Sequence, residues 1–289
     1  MRKLVMSFLA VVCMVSMFAG SVQASSNETT ATWLWDPALL VREEANVLAF
    51  MEQKGINKVY VQIDASFGQQ VYRSFISKAG AKGIQVYALD GAPAWATRGG
   101  RAPMVAMLDW VKKYQASAKA DEKFAGVHLD VEPYIHPHWV SKQREIITNY
   151  QKLLLDAKAL AKQIDLPLEA DIPFWFDEIN YRTTYGRGNL AEWVIANTDG
   201  ATIMAYRDTA ALIYAFSKQE LDYATKYGKK LSIGVETMWS AEGNQVSFSE
   251  EGEAYMHGEL QKVREQAVTS PGFGGFAIHH FDSWRNMKQ

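Results

Sequence analysis

Residues 124 to 139 read FAGVHLDVEPYIHPHW, a short apolar strand that ends in two carboxylates and runs into a proline-bounded turn. Side chains alternate faces along a strand, so Val127, Leu129 and Val131 fall on one face and Gly126, His128, Asp130 and Glu132 on the other. Two acids therefore project the same way. A carboxylate on an inward face costs desolvation energy, and acids perturbed in this manner cluster at functional sites. The plainer alternative is a structural pair, each acid satisfied by a neighbouring Lys or Arg.

Around this stretch, short apolar strands alternate with amphipathic helices. The strands are expected at 31–35, 58–63, 84–89, 125–131, 167–172, 200–205, 230–235 and 274–278. Between them, helices are expected at 37–53, 69–81, 103–118, 139–164, 189–197, 210–227 and 249–269. In the longest of these, Ile147, Tyr150, Leu154, Ala157, Ala161 and Ile164 mark one face at helical spacing. Pro37 and Pro103 sit where a first turn tolerates them, and Gly55, Gly80, Gly83 and Gly228 follow helices where a left-handed cap is wanted. Eight βα units in about 250 residues predict an α/β chain forming a single (β/α)8 TIM barrel, spanning 32–289 after a short polar segment at 25–31. A doubly wound open sheet would usually carry a glycine-rich phosphate loop after its first strand, and Trp33-Leu34-Trp35-Asp36-Pro37 is not one.

Barrel enzymes place their chemistry at the C-terminal ends of the strands. Those ends carry Trp35, Asp64, Asp90, Trp95, Asp130, Glu132, Tyr134, Asp171, Trp175, Tyr206, Glu236, Trp239, His279 and Trp284, a ring of acids interleaved with aromatic rings. Aromatic faces stack on the C–H faces of sugars, while carboxylates bind hydroxyls and move protons, so the set suits an oligo- or polysaccharide. Any single Trp of the ring is equally compatible with packing between barrel and helix. His136, His138, His279 and His280 raise the question of a metal, but their irregular, proline-flanked spacing is that of a loop, and neither metal nor cofactor is expected. No Gly-x-Ser-x-Gly elbow occurs.

The first 24 residues read as a cleavable export signal: Arg2 and Lys3, an apolar run from Leu4 to Gly20, then Val22-Gln23-Ala24. The sole cysteine, Cys13, lies inside it, so the mature chain would hold no disulfide and no thiolate metal site. A secreted or periplasmic location follows, with no membrane association after cleavage. Hydrophobic residues make up 48% of the chain and charged ones 21%, ordinary for a globular domain. There are 30 basic and 32 acidic residues and no basic run, which excludes nucleic acid as a natural partner. Nothing in the sequence sets an oligomeric state.

The segment Gly126-Val127-His128-Leu129-Asp130-Val131-Glu132 resembles the fourth-strand motif of the chitinase-like barrel glycoside hydrolases (family eighteen type), which ends in Asp-x-Glu. Ile203-Met204-Ala205-Tyr206-Arg207-Asp208 is similar to that family's Met-x-Tyr-Asp, with Arg207 inserted, and Gly274-Gly275-Phe276-Ala277-Ile278 resembles its Gly-Gly eighth strand. The resemblance implies Glu132 as the acid that protonates the glycosidic oxygen, Asp130 as the residue that orients an acetamido group, and Tyr206 as its hydrogen-bond partner. Ala125 and His128 stand where the family carries two further acids. A partial similarity to the large retaining barrel clan points elsewhere: Glu132-Pro133 ends the fourth strand and Glu236 the seventh, which implies an acid/base and a nucleophile. Carboxylates roughly 5–5.5 Å apart would support double displacement, and roughly 6.5–9.5 Å inversion.

The expected function is thus an exported glycoside hydrolase, with Glu132 as general acid and Asp130 or Glu236 supporting the oxocarbenium-like transition state. A non-catalytic sugar-binding barrel stands beside it, as does a metal-dependent hydrolase using Asp130, His136 and His280.

Overall fold

The computed structural model describes residues 28–289; the expected export signal lies outside the described residues. Among the described residues ten strands occur in chain order: β1 (Thr29–Leu34), β2 (Lys58–Gln62), β3 (Gln85–Asp90), β4 (Gly126–Leu129), β5 (Leu168–Pro173), β6 (Asn180–Thr183), β7 (Gly186–Asn189), β8 (Gly200–Met204), β9 (Leu231–Glu236) and β10 (Phe273–His279). Eight of them close into a parallel barrel in the order β1-β2-β3-β4-β5-β8-β9-β10, with β10 returning to β1. The fold is a single (β/α)8 TIM barrel. The other two strands, β6 and β7, form an antiparallel hairpin in the connection after β5.

Alternation along the strands divides the core into two layers. Ala31, Trp33, Tyr60, Tyr87, Leu89 and Ala277 fill the barrel lumen. Val59, Val61, Val127, Leu129, Ile172, Ile203, Ile233 and Val235 face outward into the larger core that the helices cover. Gly126 is needed for the inner layer, because a Cβ there would lie 2.2 Å from the Tyr87 ring. Gly275 adopts φ +127°, and a Cβ on it would strike the Thr29 carbonyl at 2.1 Å, so glycine lets β10 close against β1.

Nine helices flank the barrel among the described residues: α1 (Leu39–Arg42), α2 (Glu44–Gln53), α3 (Gln69–Gly80), α4 (Arg101–Ser117), α5 (Trp139–Lys162), α6 (Leu190–Asn197), α7 (Ala210–Lys226), α8 (Glu253–Ala267) and α9 (Phe281–Arg285). The helix expected at 37–53 is broken in two at Glu43, whose φ of −152° leaves the helical region. On α5 the expected stripe of Ile147, Tyr150, Leu154, Ala157 and Ala161 is buried. Asn189 caps α6 by accepting from the Glu192 amide at 3.1 Å. The first strand starts at Thr29, ahead of its expected start at 31, since Thr29 and Thr30 already pair with Gly275 and Phe276.

Candidate active site

β4 ends at Leu129, and the next residues are held by their neighbours rather than by the ladder. The Asp130 amide donates to the Asp90 carbonyl at 3.1 Å. Gly91 lies directly beneath, where a Cβ would come within 1.7 Å of the Asp130 carbonyl oxygen. These contacts seat the Asp130 and Glu132 side chains over the barrel mouth. Burial, reinforced by the charges of Asp171 and Glu132, pushes the Asp130 carboxyl well above the usual carboxylate range. Its Oδ1 is buried and makes no hydrogen bond among the described residues. Glu132 is raised as well, first by burial, while the Tyr134 hydroxyl, which donates to Glu132 Oε2, opposes the shift.

Beneath this pair runs a buried chain of charge. His128 Nε2 lies 2.9 Å from Asp171 Oδ1, its Nδ1 lies 3.6 Å from Glu169 Oε2, and Lys58 Nζ lies 2.7 Å from Glu169 Oε1. Trp33 Nε1 donates to the other Asp171 oxygen at 2.9 Å. The His128 ring stacks on Tyr60, centroids 3.7 Å apart. Burial alone would lower the pKa of His128, yet the two flanking carboxylates prevail and raise it to about 9. His128 is therefore an imidazolium at neutral pH, fixed between two acids.

The opposite wall is built differently. Glu236, at the end of β9, accepts from the amides of Thr237 and Met238, each at 2.8 Å on Oε1. Its Oε2 faces His279 Nδ1 at 2.9 Å. Trp35 donates its indole N–H to His279 Nε2 at 3.2 Å, so Nε2 is the acceptor nitrogen and Nδ1 carries the proton towards Glu236. Both oxygens of this carboxylate are engaged, and the residue is only 6% exposed.

Between the two walls opens a cleft of about 460 Å³. Glu132, Tyr134, Trp175, Tyr206, Glu236 and Trp239 line it, Trp239 with 66% of its surface exposed. Tyr206 stands among the carboxyl groups: burial first, then Glu236, Asp171, Asp130 and Glu132, holds its phenol protonated. The ring of Tyr134 packs edge-on against Trp175 at 4.9 Å.

Of the residues expected to meet the substrate, Trp35, Asp171 and His279 are engaged behind the cleft and do not line it, and four more lie elsewhere. Asp64 is exposed and accepts from the Ser66 amide in its own turn. The carboxylate of Asp90 folds back onto the Gly91 amide at 2.9 Å, and the residue borders a lateral depression beside Met107 and Trp110. Trp95 is 6% exposed and edges a separate groove between α4 and α5. Trp284 is buried against α8, donating to Glu253 Oε1 at 2.9 Å. Its indole, like that of Trp95, is recruited by the outer core because both follow their strand by enough residues to turn away from the mouth.

Arg207, a strand-end residue, and Met238, which carries neither an acid nor a ring to mark it in the sequence, also line the cleft, and the sequence shows His128 and Asp171 only as two separate residues. Among the described residues no three His, Cys, Asp or Glu side chains are grouped to hold a metal ion. His136 and His138 lie beside each other on the rim loop, ring centroids 5.5 Å apart.

No protein-family model matches the chain, and no curated protein matches it either. Solved structures do share its fold. A chitinase from Ipomoea carnea superposes with a TM-score of 0.53 at 13% identity, covering 89% of this chain and 96% of that one. A class V chitinase mutant from Cycas revoluta, in complex with (GlcNAc)3, gives 0.53 at 11% identity over 88% and 95%. An exo-β-1,4-mannosidase from an Opitutaceae bacterium gives 0.56 at 11% identity, over 87% of this chain and 51% of its own. The chain has the barrel fold of these glycoside hydrolases.

Proposed function

We propose that this protein is an exported glycoside hydrolase in which Glu132 protonates the glycosidic oxygen and Asp130 supports the charge that develops at the sugar. One observation carries the reading: two carboxyl groups two residues apart, both raised above their ordinary range by burial and by the charge of Asp171, stand at the end of β4, and Glu132 of the pair lines an aromatic-walled cleft. A raised Glu132 holds its proton to higher pH than an ordinary carboxyl does, which suits an acid that serves a leaving oxygen. Asp130 retains an unengaged oxygen beside it, and Tyr206 stands against both, an arrangement suited to holding a polar substituent such as an acetamido group. A sugar-binding barrel without activity would gain nothing from holding two acids in that state.

A second reading remains open because Glu236 lines the same cleft as Glu132, as a retaining pair would. Its engaged oxygens make it the weaker choice for a nucleophile.

The test is release of reducing ends from a panel of N-acetylated and other polysaccharides. Glu132→Gln should lower turnover roughly 10²–10⁴-fold while ground-state binding persists. Undiminished turnover in that variant rules out the assignment of Glu132. Export rests on the sequence of residues 1–24 and predicts a mature chain beginning near Ser25. Recovery of Met1 by N-terminal sequencing of the protein from its native host would contradict it.

A further inference from the structure

Arg207, on the loop after β8, is the sole cation among the residues that line the cleft, where it shares the wall with Glu132, Glu236 and Glu242. Its guanidinium lies 5.0 Å from the Phe174 ring and 4.8 Å from the Phe216 ring, and those two rings stack on each other at 4.3 Å. Nη1 donates to the Tyr206 carbonyl at 2.6 Å. No carboxylate lies within ion-pair distance of it among the described residues, although the adjoining Asp208 is the next residue in the chain. A guanidinium has five N–H donors, so a single bond to a carbonyl leaves most of the fork unused. The phenyl rings keep the side chain in place and remove water from part of it without neutralising its charge.

Resting on the glycosidase reading, we infer that the substrate is an acidic glycan and that Arg207 binds a carboxylate on one of its sugars. The chemistry favours a charged group over hydroxyls. With Glu132 holding its proton, Glu236 and Glu242 are the other glutamates on the cleft, and a neutral polymer has no need of a cation beside them. A planar fork that is prefixed by aromatic packing matches a carboxylate in two-point fashion, which a hydroxyl cannot provide. Arg207 follows β8 and is held by Phe174 and Phe216, whereas the proton-transfer pair follows β4, so Arg207 reads the substrate rather than the reacting bond.

The experiment measures binding by titration calorimetry to full-length Glu132→Gln protein, which does not require turnover. Probes are oligogalacturonates, oligoalginates, hyaluronan oligosaccharides and muramic-acid-containing glycan strands, each beside its carboxyl-reduced counterpart. At least one acidic probe should bind roughly 10- to 100-fold tighter than its reduced form, the range of a charge-assisted hydrogen-bonded contact. That advantage should shrink as salt is added. Adding Arg207→Gln should bring the ratio close to one, and Arg207→Lys should keep part of it. Equal affinity within every pair, no binding to any acidic probe, or an undiminished ratio in Arg207→Gln would each overturn the inference. The glycan-side comparison uses no Arg207 variant, so it stands even where that variant folds poorly. A clear ratio without hydrolysis of any probe by the wild-type protein would remove the glycosidase reading and leave this one. Hydrolysis of neutral chitin oligomers with a ratio of one would do the reverse.

Discussion

The two walls of the barrel mouth each end a strand in a carboxylate, and they treat it in opposite ways. On the β4–β5 side, Asp130 and Glu132 are crowded by Asp171, and Asp130 keeps an oxygen without a partner. On the β9–β10 side, two amides and a histidine meet both oxygens of Glu236. A carboxylate that its surroundings satisfy contributes to the shape of the wall, whereas one held in conflict with burial and like charge stores a proton for use. The position of an acid at a strand end therefore says less than what stands opposite it. His128 makes the conflict tolerable: its positive charge offsets Asp171 and Glu169 directly beneath the reactive pair.

The comparison is sharpened first by removing that charge. Replacing His128 with Gln leaves Asp171 buried without its counter-ion, while Glu169 keeps Lys58, which should cost about 3–5 kcal/mol of stability in urea unfolding. The pH dependence is as telling. The pKa of His128 is raised from 6.5 to about 9, so its contribution is fully present below pH 6.5 and is lost as pH rises through 9. Wild-type stability should decline across that window, by about 3 kcal/mol from this group, and the decline should be missing in the variant. The raised Asp130 and Glu132 act in the same sense at lower pH. An unfolding midpoint that is flat from pH 6.5 to 9 in the wild type would show that His128 is not the buried cation described.

A smaller effect separates the walls from within. Tyr134 donates to Glu132 and so lowers its pKa. In Tyr134→Phe the acid should hold its proton to higher pH, and the alkaline limb of the activity profile should move up by about one pH unit. A limb that moves down would place the acid elsewhere.

The barrel is legible because eight apolar segments and their intervening helices each obey one period; the close approaches that need glycine at Gly126 and Gly275 show only in the structure. The polar hairpin Asn180–Asn189 escaped, since neither NYRT nor GRGN alternates apolar with polar residues and its pairing rests on the connection that carries it. Within the site, Asp130, Glu132, Tyr206 and Glu236 could be brought to one end by strand counting alone. The His128–Asp171 contact could not, for it joins adjacent strands through a register that no local pattern encodes. Trp95 and Trp284 show why the indoles mislead: an indole near a strand end has the same sequence signature whether it faces the mouth or the helices. Arg207 stands at a strand end as an insertion in a motif; its aromatic clamp draws on Phe174, in the turn after β5, and Phe216, from α7, which no local pattern brings together.

The direct test of the asymmetry is a side-by-side measurement of turnover for Asp130→Asn and Glu236→Gln on whichever glycan the wild-type protein cleaves. The β4–β5 wall as described predicts a loss of roughly 10²-fold or more for Asp130→Asn and only a modest one for Glu236→Gln. A Glu236→Gln loss as deep as that of Glu132→Gln, with Asp130→Asn close to wild type, would contradict the account and make Glu236 the nucleophile of a double displacement.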